Sequence, residues 1–451
     1  MHSSSITDLT QGRPIVRILL FSIPLVLGTM FQQLYSFADT VIVGRCISVD
    51  ALAAVGTTSS LHFLTLGFVQ GTCIGLGIPI AQSFGAKNDT DVRRYLWNGV
   101  WLCIIISVIL AIGMTLLAKP LLRLIQTPPE LLSMAALYIQ VLFAGIPASV
   151  LYNYSASVLR AVGDSKHPFY FLLISCVLNV VLDYVFIVPF QMGVFGAAFA
   201  TVISQFISGI LNCWWAFTKI DLIQIKKEEL HWSRLHIKRL CLIGLPMGFE
   251  YSVSAIGAIV MQGAINALGS TLVAAQTTGE KIRQLFTLPM ESVGMAMATY
   301  AGQNFGARRL DRVKQGLTSG LTIQVLYCVA AWTAIFLFKQ PLVSFVLGES
   351  VSETAAGAIQ YLTLISNLFP IHGALMVFRN TLQGLGYSTY AIISGIGELI
   401  GRSMGGILAV EFFGFTAICY ANPLAWFLAL CYCVLMVNLV LRKKAKEFQT
   451  Q

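Results

Sequence analysis

The sequence predicts an all-α integral membrane protein, with twelve transmembrane helices in two six-helix bundles related by a pseudo-two-fold axis along the membrane normal. Three observations carry that prediction. Of 451 residues, 56% are hydrophobic and only 11% charged, whereas a soluble chain of this length would carry about a quarter charged. Twelve apolar runs are each long enough to cross the roughly 30 Å of hydrocarbon, which takes about 20 residues. The second half of the chain also repeats landmarks of the first in the same order.

The runs lie near 15–43, 51–80, 95–118, 132–158, 168–189, 192–217, 240–267, 271–301, 315–338, 355–378, 387–410 and 413–441. Backbone groups in lipid must be satisfied within the segment, so the runs are helices. The first exceeds a signal-peptide core and lacks a small-residue cleavage pattern, and is expected to be retained. Basic residues collect in cytoplasmic loops. With the N-terminus inside, 22 of the 29 Lys and Arg fall on that side, among them Lys87, Arg93, six between Lys219 and Arg239, and Arg379. Both termini are then cytoplasmic, in the inner or plasma membrane, and the net charge of +9 reflects topology and not nucleic-acid binding. The ten cysteines show no metal spacing or disulfide framework and read as small hydrophobes. The expected chain is a monomer in the lipid bilayer, without a cofactor.

The stretch "AQSFGAKNDTDVRR" from Ala81 meets "GQNFGARRLDRVKQ" from Gly302 at an offset of 221 residues, matching Gln82, Phe84, Gly85, Ala86 and Lys87 with Gln303, Phe305, Gly306, Ala307 and Arg308. "SIPLVLG", with Pro24, meets "GLPMGFE", with Pro246, at offset 222, and "VLRAVGDS" meets "TLQGLGYS" at offset 223. Six helices return a chain to its starting side, so both halves insert in one orientation. The expected division is an N-terminal lobe over 1–218, a charged cytoplasmic linker over 219–239 and a C-terminal lobe over 240–451. Two similar bundles that rock about a shared interface suit a carrier better than a pore.

These motifs, the paired prolines and the twelve-helix frame resemble the multidrug and toxic compound extrusion (MATE) family of cation-coupled efflux carriers, over essentially the whole chain. "SIPLVLGTMFQQLYSFADTVIVG" in span 1 and "LNVVLDYVFI" in span 5 resemble most the branch that includes the DNA-damage-inducible protein F transporters. The resemblance implies a V-shaped pair of lobes around a central cavity, and export of amphipathic organic cations against an inward Na⁺ or H⁺ gradient.

The segment "FQQLYSFADTVIVG" holds one acid, Asp39, about five residues from the outer end of span 1, so roughly 7 Å deep. Counting from the other outer ends places Asp183 at roughly 9 Å, Asn179 at roughly 15 Å and Thr201 at roughly 14 Å. Asn179 and Asp183 are four residues apart, on one helix face. An ionised group at the bilayer centre costs about 2.5–3.5 kcal/mol even on lenient scales, so such acids face a cavity and have a partner. No Lys or Arg of the first half lies at this depth, which leaves a mobile cation or a proton. Oxygen donors suit Na⁺; two nearby carboxylates suit one proton, because like charges disfavour joint ionisation. The same residues serve both ions. The resemblance implies the same four, Asp39, Asn179, Asp183 and Thr201, as the cation or proton site, with Pro24 and Tyr35 on a helix that bends. Their counterparts in the second half are apolar: Val260 and Met261 for Asp39, Gly406 for Asp183.

The second half carries Glu250, Glu280, Lys281, Arg283, Glu291, Glu398 and Arg402 within its spans. Glu398 and Arg402 stand four apart, acid first, as a structural pair. Glu250 has no basic residue within a turn, and is expected to attract a cationic substrate or to close on Lys281 or Arg283. Gln33, Glu250, Lys281, Arg283 and His372 are the candidates for a substrate cavity. A flippase of lipid-linked saccharides from the same superfamily is the alternative function. A membrane enzyme is remote, since the six histidines form no HExxH and no phosphate-cradling GxxxxGK occurs.

Pro24 removes a backbone hydrogen bond from the interior of span 1. If occupancy at Asp39 changes the bend there, Pro24→Ala slows transport while leaving cation binding nearly intact; unchanged transport rates would remove Pro24 from the mechanism.

Overall fold

The first helix runs without interruption through its internal proline, and the same holds for its counterpart in the second half. The computed structural model describes residues 6–224, 226–348 and 352–450. Its α-helices are α1 Pro14–Cys46, α2 Val49–Gly85, α3 Asp89–Leu124, α4 Pro129–Ala144, α5 Ile146–Ala161, α6 Lys166–Ile187, α7 Gly193–Lys219, α8 Arg234–Asn266, α9 Ser270–Gly306, α10 Leu310–Leu347, α11 Glu353–Ser366, α12 Phe369–Gly384, α13 Ser388–Leu408 and α14 Phe415–Gln449. Among the described residues, nine stretches, α13 with its π-helical extension among them, are long and apolar enough to cross a membrane as single helices.

Two more spans are each a bent pair: α4 and α5 meet at 45°, α11 and α12 at 51°. Each second helix carries a proline in its first turn, Pro147 and Pro370, where the missing N–H is tolerated and the preceding helix must end. The twelfth span is α9. Its 37 residues are ample for a crossing, but Glu280, Lys281, Arg283 and Glu291 make it the most polar of the set. The twelve-span prediction holds, with two of the spans broken near their middles.

The duplicated motifs fold alike. Lys87 and Arg308 both adopt positive φ, 56° and 57°. The next residue in each case bonds back into the helix: Asn88 N–H to the Ser83 carbonyl at 3.0 Å, Arg309 N–H to the Asn304 carbonyl at 2.8 Å. Gly163 and Gly386 close α5 and α12 the same way, at φ 93° and 87°. Glycine is needed at Gly163, because a side chain would meet the Thr7 carbonyl oxygen at 2.1 Å.

The chain forms two compact units, Met1–Asp8 with Leu27–Phe249, and Leu9–Val26 with Glu250–Gln451. In the first unit an apolar core joins α2, α3, α4 and α5, with Phe143, Ile146, Leu159, Ile80 and Leu122 essentially inaccessible. A smaller cluster of Val43, Ala51, Tyr138, Leu142, Ile187 and Val194 lies near the acids. In the second unit one cluster centres on Tyr361, Phe369, Ile365 and Trp426, another on Leu9, Ile18, Tyr300 and Val377. The segment before α1 is clamped there: Leu9 N–H donates to Gln303 Oε1 at 3.0 Å, and Arg312 Nη2 donates to the Leu9 carbonyl at 3.2 Å.

The segment between α7 and α8 is ordered against the first unit. Its two 3₁₀ turns span Asp221–Ile223 and Lys227–Glu229. Glu229 receives a two-pronged hydrogen bond from the Arg93 guanidinium, and both side chains are more than nine-tenths buried. Asn98 bonds the Ser233 N–H at 2.8 Å, and Arg239 bonds Gln82 at 2.6 Å.

The bond from Arg93 holds the Glu229 carboxyl below the usual glutamate value of 4.5. The stabilisation is therefore complete above pH 4.5 and is lost only as pH falls through the lowered value. Glu229→Ala is expected to raise the proteolysis rate of residues 219–233 at neutral pH at least tenfold, about 1.4 kcal/mol of local stability, whereas the native chain resists until the pH is well below the carboxylate range. Equal rates at neutral pH would contradict the clasp.

Candidate functional site

The site in the first unit is built by the second half of α1 and by α4, α6 and α7. Small residues on α7, Ala197, Ala198 and Ala200, are fully buried and let α6 approach closely. That brings Asn179, which shares a face of α6 with Asp183, against Thr201. Asn179 Nδ2 donates to Thr201 Oγ1 at 3.3 Å, and Thr201 Oγ1 donates to the Ala197 carbonyl at 3.2 Å. On α1, Gly28 lets the helix approach α6: an added Cβ would stand 3.2 Å from the Leu172 side chain. Further along α1 the Asp39 carboxyl reaches Asp183, close enough for the two to share a hydrogen bond when one is protonated. The structure thus brings together two pairs, Asn179 with Thr201 and Asp39 with Asp183, one turn apart along α6.

Asp183 is 0% exposed and Asn179 2%. Among the described residues no donor reaches Asp39 Oδ1, Asn179 Oδ1 or either oxygen of Asp183. Buried polar atoms are rarely left in that state. Two carboxylates, an amide oxygen and a hydroxyl form an all-oxygen donor set that fits a hard monovalent cation, and the two adjacent carboxyls equally fit one bound proton.

A small cavity adjoins Asn179 and Thr201, lined by Gln32, Tyr35, Tyr152, Leu172, Ser175, Ser204 and Gln205 as well. Tyr35 lies beside Gln32 in this lining and within electrostatic range of Asp39. The lining residue is Gln32; Gln33, the sequence candidate, is not among the lining residues. Sequence reasoning also missed Tyr138 of α4, which is 5% exposed and within electrostatic range of Asp39, Asp183 and Tyr35. The repeat could have flagged it, because Tyr361 stands 223 residues later.

The second unit differs. Expected to attract a substrate or to close on Lys281 or Arg283, Glu250 instead forms an ion pair with Arg379 of α12 at 3.3 Å and accepts a hydrogen bond from Gln383 Nε2 at 2.6 Å. Arg379, counted with the cytoplasmic charges, is buried within α12 and also bridges to Glu398. Its burial is possible because two acids on other helices meet it. The Glu398–Arg402 pair is present at 3.3 Å. Arg402 continues to Asn422 Oδ1 at 3.1 Å and to the Ser254 carbonyl at 2.8 Å. Arg283 pairs with Glu280, which accepts from the Tyr361 hydroxyl at 2.6 Å. His372 is buried against Trp426, ring centroids 4.6 Å apart, while Lys281 is exposed. The six-histidine survey included His2, which lies outside the described residues.

A duplicated twelve-span helical bundle, with bare carboxylates buried in one half and a self-satisfied ion network in the other, is a multi-pass membrane transporter. The MatE family model matches residues 24–185 and 246–402, and the chain belongs to that family. The matched stretches begin at Pro24 and Pro246. Among curated relatives, the chain is 28% identical over 374 residues to the probable multidrug resistance protein YoeA of Bacillus subtilis, covering 81% of this chain and 80% of that one. It is 28% identical over 382 residues to the probable multidrug resistance protein YpnP of the same organism, covering 84% of each. A solved outward-facing multidrug resistance MATE family transporter of the MOP superfamily superposes with a TM-score of 0.92 at 23% identity, over 98% of this chain and 99% of that one. That likeness concerns the fold.

Removing Arg379 leaves Glu250 and Glu398 buried without their shared cation. Arg379→Met is expected to destabilise the protein by about 3–5 kcal/mol, read as a large fall in Tm in detergent, with Arg379→Lys intermediate. A Tm equal to the native one would contradict the network's structural role.

Proposed function

We propose that this MATE protein is a secondary active efflux transporter that exports amphipathic organic cations by antiport with Na⁺ or H⁺ through alternating access, in the cell membrane with both termini cytoplasmic. The observation that carries the reading is the set of donor-less buried oxygens on Asp39, Asp183 and Asn179. A cation or proton arriving from outside compensates the two carboxyls. Its binding favours the state that releases substrate outward, and its departure inward restores the other. Tyr35 and Tyr138 flank the carboxyls and sense their charge, and Pro24 gives α1 a place to respond.

One charge falling through 100 mV supplies about 2.3 kcal/mol, enough for roughly a fifty-fold substrate gradient. The multidrug names of the relatives support the substrate class. So does the second unit, where the arginines Arg283, Arg379 and Arg402 are each paired with a carboxylate.

In proteoliposomes with Na⁺ and pH gradients imposed separately, Asp39→Asn abolishes gradient-driven dye efflux and Thr201→Val weakens it. Full coupling in Asp39→Asn would sink the assignment. Lipid-linked saccharide flipping without dye efflux would favour the flippase.

A further inference from the structure

The two halves treat the same position oppositely. At the offset of 223 residues that relates "VLRAVGDS" to "TLQGLGYS", Asn179 of α6 corresponds to Arg402 of α13, and Tyr138 of α4 to Tyr361 of α11. Each unit, taken by itself, bears the correspondence out in its contacts. In the first, Tyr138 lies within electrostatic range of the carboxyls beside Asn179. In the second, Asn422 joins the two counterparts: its amide donates to the Tyr361 hydroxyl at 3.5 Å and its carbonyl oxygen accepts from Arg402 Nε at 3.1 Å.

What surrounds Arg402 is a cation cage. Its guanidinium donates to a main-chain carbonyl, Ser254 O, at 2.8 Å, to an amide oxygen at Asn422, and to a carboxylate, Glu398 Oε2, at 3.3 Å, with the Ser254 hydroxyl at 3.4 Å. Carboxylate, amide and hydroxyl oxygens are also the donor types gathered around Asn179. In the first unit Asp39 Oδ1, Asn179 Oδ1 and both Asp183 oxygens lack protein donors among the described residues; the oxygens around Arg402 have one. Gly401 and Gly405 make the cage possible by letting α14 approach, since a Cβ at either would fall 2.5 Å from Ala425 Cα or Ala421 Cβ.

We infer that Arg402 is a tethered surrogate for the coupling cation: at the position that Asn179 takes in the first unit, the second unit places its own guanidinium in an oxygen cage drawn from other positions, Glu398, Asn422 and Ser254, and the transporter therefore has one exchangeable cation site, not two. The charges agree. Glu250, Glu280 and Glu398 are matched one for one by Arg379, Arg283 and Arg402, with Glu291 beside them near His372, so removing Arg402 adds one further uncompensated carboxylate. This inference rests on the proposed cation site at Asp39, and its test is built to fail separately from that reading.

The test is the effect of Na⁺ and of methylguanidinium on Tm for the full-length protein in detergent, because a ligand that binds only the folded state raises Tm by mass action. In Asp39→Asn both responses are expected to be lost; if they persist, the cation assignment to Asp39 is wrong. In Asp39→Asn/Arg402→Ala a saturable rise in Tm with methylguanidinium or Na⁺ is expected to return, as the emptied cage takes a free cation. A folded double variant that responds to neither overturns the surrogate role. Should the double variant not fold, the converse transplant decides: Asn179→Arg is expected to remain folded and to lose the native Na⁺ and proton dependence of Tm. Asn179→Arg with a native response would equally overturn the inference.

Discussion

Two carboxyl groups held side by side in an apolar bundle, with no protein donor to satisfy them, constrain everything around them in the first unit. Such a pair is unstable as two charges and expensive as one unpartnered charge. It is carried on one side by the close packing of α6 on α7, where Ala197, Ala198 and Ala200 are fully buried, and on the other by α1, which brings Asp39 to Asp183. A site poised in this way binds a small cation or proton strongly and releases it when the geometry relaxes, which is the property a coupling site requires.

The second unit starts from the same helical frame and resolves its buried charges internally. Glu250, Arg379, Glu398 and Arg402 satisfy one another across α8, α12 and α13, with Gln383, Asn422 and Ser254 completing the hydrogen bonds. A network of this kind contributes specificity of packing, not net stability, since replacing buried ion pairs by well-packed apolar groups is often neutral. The two units therefore differ in how their buried acids are met: those of the first lack protein donors, and those of the second have arginines.

The frame was legible from the sequence because hydropathy and repetition are properties of whole segments: twelve apolar runs and three repeated anchors survive errors of several residues at each end. The four oxygen-bearing residues of the first unit were legible because an acid in an apolar helix is conspicuous and helical rise fixes its depth. Arg379 was not. A basic residue near the end of an apolar run counts as a loop charge by the statistics of topology, and only the positions of Glu250 and Glu398 on other helices reveal that it can be buried. The breaks at Gly145 and before Phe369 were hidden for a related reason, since hydropathy averages across a bend. Tyr138 was hidden because one tyrosine in an apolar helix looks like packing until the acids beside it are placed. Gln32 and Gln33 are adjacent in sequence and alike in chemistry, and helix rotation alone separates them.

The central claim is that the paired carboxyls exchange a cation or proton with solvent during the cycle. Infrared difference spectroscopy of the membrane-reconstituted protein tests it most directly, by following carboxyl bands as Na⁺ is added at fixed pH and as pH is changed without Na⁺. The account predicts a carboxyl band that responds to at least one of the two and disappears in Asp183→Asn. A spectrum indifferent to both, or a response that survives intact in Asp183→Asn, would contradict it.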